Sequence, residues 1–279
     1  MVTKNSNLSL YLRIISYSVL AFTLAFLINN VLTVWSDWPG IKKIFSHHEM
    51  FGFKKKALEG SDLNYGYMQI GLYLICIAAV VFYVFKTYSQ TLEQDSKILS
   101  RFSAYLVRSS FWAVFLVGVA DFVISFMVVE RLWEAIFSPE VKALMVKAPV
   151  RITYIHFPII LISFVIGYFT KSVGFIWLAV LVVVSEFVIV LSRFIFSYEQ
   201  AFQGDLVRFW YAALYLFASA YALIHEGHVR VDVLYSSFSE KKKAWTNMVG
   251  SAVLGVPLTL IVIFLGLNGK ASIINGPVV

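Results

Sequence analysis

Two carboxylates, Asp121 and Glu186, stand inside long apolar runs, and a polar nonapeptide, Gly227-His228-Val229-Arg230-Val231-Asp232-Val233-Leu234-Tyr235, separates two further runs. A charge in hydrocarbon is costly, so buried acids of this kind pair, become neutral or line an ion path. Asp121 and Glu186 could form an ion-conducting pair. They could equally be neutral or paired carboxyls that tie helices together inside a bundle, with Arg193 or Arg108 as partners. Glu186 and Arg193 lie two helical turns apart, so they share a face but are too distant to pair directly. Within the nonapeptide, Arg230 and Asp232 do not face one another on a regular helix, where His228 and Asp232 become neighbours. In an extended chain they share one face, with Val229, Val231 and Val233 on the other. In both geometries the valines can enter an interface while the charges bond loop backbone or a partner.

The histidines raise a haem reading, because a b-type haem in a membrane needs two axial imidazoles. His156 lies near the start of one apolar run and His225 at the end of another. Counting helices puts those ends on opposite sides of the bilayer, so the pair fails geometrically. A membrane anchor for a respiratory electron-transfer complex is therefore the second reading. His47-His48 has no cysteine or spaced acid beside it and makes a poor metal site. The chain has no nucleophile elbow, Walker loop, dinucleotide-binding glycine pattern or zinc-protease helix, so catalysis, cofactor and ATP-driven pumping are not expected.

The elements that position these groups are legible from hydropathy. The chain is 59% hydrophobic, and an apolar core of about 30 Å is crossed by about 20 helical residues. Seven stretches qualify: Leu12–Val34, Tyr65–Phe85, Ala104–Val129, Ile152–Phe169, Phe175–Phe196, Leu206–Ile224 and Ala244–Leu267. They lack the alternation of barrel strands, and lipid obliges each segment to satisfy its own backbone as a helix. The expected fold is all-α, a polytopic transmembrane bundle of about seven helices. The net charge of +7 does not indicate nucleic acid. Its longest basic runs, Lys54-Lys55-Lys56 and Lys241-Lys242-Lys243, sit beside membrane segments, where lysines meet lipid headgroups. Cys76 lies inside the second span and has no intrachain partner. The first apolar run is too long for a signal peptide and reads as a retained helix.

Tryptophans 35, 38, 133, 177, 210 and 245 lie at span ends, as in interfacial aromatic belts. Residues 35–64 mix lysine with aromatics as an interfacial segment does, and 130–151 reads as a surface helix and turn. Residues 170–174 are short enough to force a helical hairpin. Ser239 is a plausible N-cap, followed by Glu240 at the positive end of the last helix. Basic residues divide almost evenly between the two sides, so charge alone does not orient the chain.

From about Phe175 to Leu267 the order of features resembles the DctQ-type small membrane subunit of tripartite ATP-independent periplasmic (TRAP) transporters. A helix ends in Leu191-Ser192-Arg193-Phe194. A short acidic loop then runs from Tyr198-Glu199-Gln200 to Asp205, and an aromatic helix with Phe209-Trp210-Tyr211 follows. That helix leads into His225-Glu226 and the nonapeptide, before a Ser-Glu-Lys-Lys-Lys turn and another helix. The resemblance divides the chain into an N-terminal four-helix extension, 1–170, and a DctQ-like membrane domain, 171–279. Such subunits usually have four helices, and only three follow residue 175, so a chain truncated before its last helix is expected. The resemblance implies a scaffold that braces a large permease subunit in a bacterial inner membrane. That permease imports a solute, often a carboxylate, on a sodium gradient after a periplasmic binding protein has captured it. It also implies a cytoplasmic Arg230–Asp232 loop, and it favours the structural reading of Asp121 and Glu186. The residues expected at the subunit interface are Arg193, Asp205, Trp210, Gly227, His228, Arg230, Asp232 and Tyr235.

Overall fold

A computed structural model describes residues 7–170, 175–198, 201–224 and 233–276. Among them the elements are helical throughout. The long helices are α1 (Asn7–Trp35), α3 (Ser61–Lys86), α4 (Leu92–Val129), α8 (Phe157–Phe169), α9 (Phe175–Phe196), α10 (Ala201–Ile224), α12 (Glu240–Gly250) and α13 (Val256–Gly266). Short helices fill the connections: α2 (Ile41–His47), α5 (Trp133–Ile136), α6 (Pro139–Met145), α7 (Ala148–Arg151) and α11 (Val233–Ser236). Six helical stretches of the described residues are long and apolar enough to cross a membrane, the last being Glu240–Gly266. The remaining expected span, α10, is helical over 24 residues. This is a multi-pass membrane protein. Its spans expose large apolar side chains such as Ile75, Phe82 and Leu161, as lipid-facing helices must.

Two spans contain a turn of π-helix, Ile152–His156 before α8 and Ser251–Gly255 before α13. Pro158 and Pro257 follow these turns. Proline lacks an N–H, and its ring crowds the carbonyl one turn back, so a locally widened helix relieves the clash.

The described chain divides into two compact units, 1–97 with 233–279 and 98–232, parting within α4. The division at residue 170 expected from the sequence is one of resemblance, and each unit combines pieces from both sides of it.

In the first unit α1 and α3 run antiparallel. Tyr17 meets Tyr83 edge-on, Phe22 lies against Tyr73, and the guanidinium of Arg13, 1% exposed, reaches the end of α3. There Arg13 Nε donates to Asp95 Oδ2 at 2.5 Å, Nη1 to the Thr87 carbonyl at 2.9 Å and Nη2 to Thr87 Oγ1 at 2.8 Å. At the opposite end, fully buried Gln69 accepts from the Gly40 amide and donates to Thr33 Oγ1. Gly40 holds φ +79°, a conformation that glycine adopts without strain. α13 joins this unit through Phe264, whose ring lies 4.4 Å from that of Phe26. The segment after α13 folds back so that the amides of Asn30 and Asn275 donate to one another, both at 3.2 Å.

The second unit is built on α4, α8, α9 and α10. Gly167 packs so tightly on α4 that a Cβ there would lie 2.4 Å from Ser109 Oγ and 2.9 Å from Ser109 Cα. Trp112 Nε1 donates to Thr170 Oγ1 at 3.2 Å, and Tyr105 Oη to the Phe164 carbonyl at 3.0 Å. Phe111, Leu178 and Ala213 form the apolar core, flanked by Leu181 and Phe217.

Candidate functional site

Asp121 lies eight residues before the end of α4, about 12 Å at 1.5 Å per residue, and therefore within reach of the chain that re-enters the membrane. α5, α6 and α7 carry the chain round to that re-entry. Arg151 ends α7, and His156 ends the π-turn leading into α8. Arg151 Nη1 donates to Asp121 Oδ1 at 3.2 Å, and His156 Nε2 lies 3.0 Å from the same oxygen. One acid on α4 thus gathers two basic groups from the start of the next span, and the three side chains are partly buried. The partners expected from the sequence were Arg108 and Arg193. Arg108 instead turns its Nε to the Gly167 carbonyl at 3.3 Å. Arg151 and His156 lie 30 and 35 residues from Asp121, and contacts between helices at such separations have no fixed spacing to betray them.

Glu186 departs from expectation more sharply. It sits at the midpoint of α9 but is exposed rather than turned into the bundle. Its neighbour Ser185 takes the inward position, 8% exposed, and donates to the Leu181 carbonyl. Asp121 and Glu186 are not brought together by any hydrogen bond or ion pair among the described residues.

Of the expected interface residues, Trp210 is 5% exposed. Its Nε1 donates to the Val114 carbonyl at 3.3 Å, and its ring stacks on Phe115. A Cβ at Gly118 would lie 2.5 Å from that nitrogen, so Gly118 makes room for the indole. Trp210 is thus a packing residue between α4 and α10 rather than part of an interfacial belt, and Trp133, 6% exposed, is likewise turned inward. Trp177 and Trp245 are exposed, as a belt requires. Arg193 is exposed near the end of α9, and Asp205, exposed at the start of α10, accepts from Arg208 Nη1 at 3.2 Å. Gln203 Nε2 donates to Ser192 Oγ at 3.3 Å across the α9–α10 hairpin. Gly227, His228, Arg230 and Asp232, together with His225, lie outside the described residues. Tyr235 of α11 donates from its hydroxyl to Asn247 Oδ1 at 3.1 Å, and the ammonium of Lys243 stands 5.9 Å from its ring centre. That clasp fixes the exit of the nonapeptide to α12. Ser239 occupies the N-cap position of α12 without a side-chain capping bond, and Glu240 pairs with Lys243 instead.

Among the described residues the arrangement offers no reactive constellation. His47 accepts from the Leu58 amide through Nδ1, and His48 lies 2.8 Å from the Tyr67 hydroxyl, so both histidines brace the α2 segment. No group of three histidine, cysteine, aspartate or glutamate side chains among the described residues could hold a metal ion. What these residues offer is helix-joining polarity at one end of a span, a packed tryptophan, and one exposed acid in mid-membrane. No curated protein and no solved structure matches the chain. Residues 179–277 match the family model described as "Tripartite ATP-independent periplasmic transporters, DctQ component", and four candidate membrane spans precede the matched residues.

Proposed function

We propose that the chain is the small membrane subunit of a TRAP-type secondary transporter in a bacterial inner membrane. It binds the large permease subunit and holds it at a fixed depth while that subunit moves a solute, a carboxylate in our reading, with sodium. A periplasmic binding protein delivers the solute. The match over residues 179–277 carries this reading. It is supported by an α9–α10 hairpin whose outward side is apolar and by a tyrosine clasp that anchors the nonapeptide next to α12. The chain acts by gripping its partner and does not itself handle solute, so the Arg230–Asp232 loop belongs to the grip and faces the cytoplasm.

The experiment replaces Arg230 and Asp232 together with alanine and measures recovery of the large subunit and solute uptake. Both should fall, with the preference among solutes unchanged. Undiminished recovery and uptake would remove the loop from the mechanism. A shifted substrate preference would place solute handling in this chain and overturn the scaffold reading.

A further inference from the structure

Glu186 lies at the middle of a 22-residue span, about 15 Å from either end at 1.5 Å per residue. Its side chain is too short to reach either interface from there. It is exposed, and no described residue gives it a hydrogen bond or a counter-charge. α9 buries a different stripe, Leu178, Ser185 and Ile189, within its own unit. The helical period places Val183, Glu186 and Val190 together on another stripe. The two valines are 66% and 45% exposed. Lipid chains offer a carboxylate nothing, whereas Asp121, nearer the end of its span, is met by Arg151 and His156.

We propose that the α9 face bearing Val183, Glu186 and Val190 docks a transmembrane helix of the large subunit, and that this helix presents a lysine or arginine at mid-membrane depth to pair with Glu186. The proposal rests on the reading of the chain as a TRAP small subunit. Charge complementarity selects the occupant. A lone cation at that depth is as costly as a lone carboxylate, so each is stable in the bilayer mainly in the presence of the other. The flanking valines are short and stiff at χ1, which lets a neighbouring helix approach closely with little rotamer freedom lost.

The test co-expresses the tagged chain with the large subunit of its transporter and measures co-purification after solubilisation. A photoreactive residue at Val183 reports contact. Glu186→Leu places an apolar residue on an apolar face and leaves folding unharmed, which the yield of the solubilised chain checks. Recovery of the large subunit should fall between about threefold and thirtyfold, the range that interhelical polar contacts in membranes span. The Val183 adduct should fall with it. Glu186→Gln, which keeps the shape and loses the charge, should also lose recovery. Unchanged recovery and adduct in Glu186→Leu overturn the docking face while leaving the scaffold reading intact. Loss in Glu186→Leu but not in Glu186→Gln overturns the cationic partner, and adducts with lipid or a second copy alone overturn the occupant. A wild-type chain that recovers no large subunit overturns both this inference and the reading beneath it.

Discussion

Removing Arg13 is the most demanding test of how the first unit is held together. Its guanidinium is fully buried as a side chain and meets an Asp95 carboxylate that is 6% exposed. Besides that ion pair it bonds the Thr87 carbonyl and hydroxyl, while Tyr17 donates to Asp95 at 3.1 Å. In Arg13→Met the stem volume is nearly kept, but Asp95 remains buried with only the tyrosine to solvate it. Breaking one side of such a pair costs about 3–5 kcal/mol, most of it the orphaned charge. In Arg13→Met/Asp95→Leu nothing charged is left behind, and a buried pair replaced by apolar groups is often close to neutral. Thr87 then loses its two guanidinium bonds, for about 1–3 kcal/mol. The double variant should therefore be more stable than the single one, by about 2 kcal/mol at the middle of those ranges. Denaturation of the purified protein in mixed micelles, followed by far-UV circular dichroism, measures both. Equal losses in the single and double variants would show that the Asp95 charge is already relieved by water, and the account of a desolvated pair would fail.

The remaining predictions concern packing and pH. Gly167→Leu should destabilise by about 1–3 kcal/mol, because its Cβ alone would lie 2.9 Å from Ser109 Cα and the helices must part. Gly71→Ala, where a Cβ meets nothing within 4 Å, is the control and should not destabilise in the same thermal melt. Asp37, in the exposed turn after α1, accepts a hydrogen bond from the Lys270 ammonium, which holds its carboxyl below the ordinary value of 3.8. A lowered folded-state pKa means that this contact contributes above the ordinary value and is lost as pH falls below it. Melting of the wild type should consequently drop a little more than that of Asp37→Asn between neutral pH and pH about 3. High salt should erase the difference, since the pair is exposed. Parallel acid limbs at low salt would refute the linkage.

Apolar runs of membrane length announced the spans because lipid leaves a continuous run no option but helix. They set the ends less well. α4 begins at Leu92, not near Ala104, since Glu93, Lys97 and Arg101 continue the helix beyond the apolar stretch, and hydropathy is blind to a helix in water. Pro158 and Pro257 were visible signals for the widened turns that precede them. Pairings were not visible. Arg13 and Asp95 are 82 residues apart, and Asn30 and Asn275 are 245 apart. Nothing in either local sequence fixes which partner a polar group will find. The helical period could exclude a direct Glu186–Arg193 pair, but it could not tell which side of α9 would face the bundle. That depended on whether Ser185 or Glu186 turned inward, and a serine bonded to its own helix is far cheaper to bury.

The same accounting of polar groups connects the earlier helices to the residues that match the DctQ model. Asn275, near the end of the matched residues, finds its reciprocal amide on α1, and Phe264 packs on Phe26 of that helix. Trp210, also within the match, bonds the Val114 carbonyl of α4. Each compact unit therefore closes matched residues against helices that precede the match, which supply partners to the matched polar and aromatic groups. A block that only widened the footprint in lipid would leave Asn275 and Trp210 to be satisfied elsewhere. Asp121 and Arg108, both on the added α4, are likewise satisfied within the chain. Glu186, in the matched segment, has no such partner among the described residues. The helices before residue 170 supply partners to Asn275 and Trp210, whereas the mid-span carboxylate of α9 is left exposed.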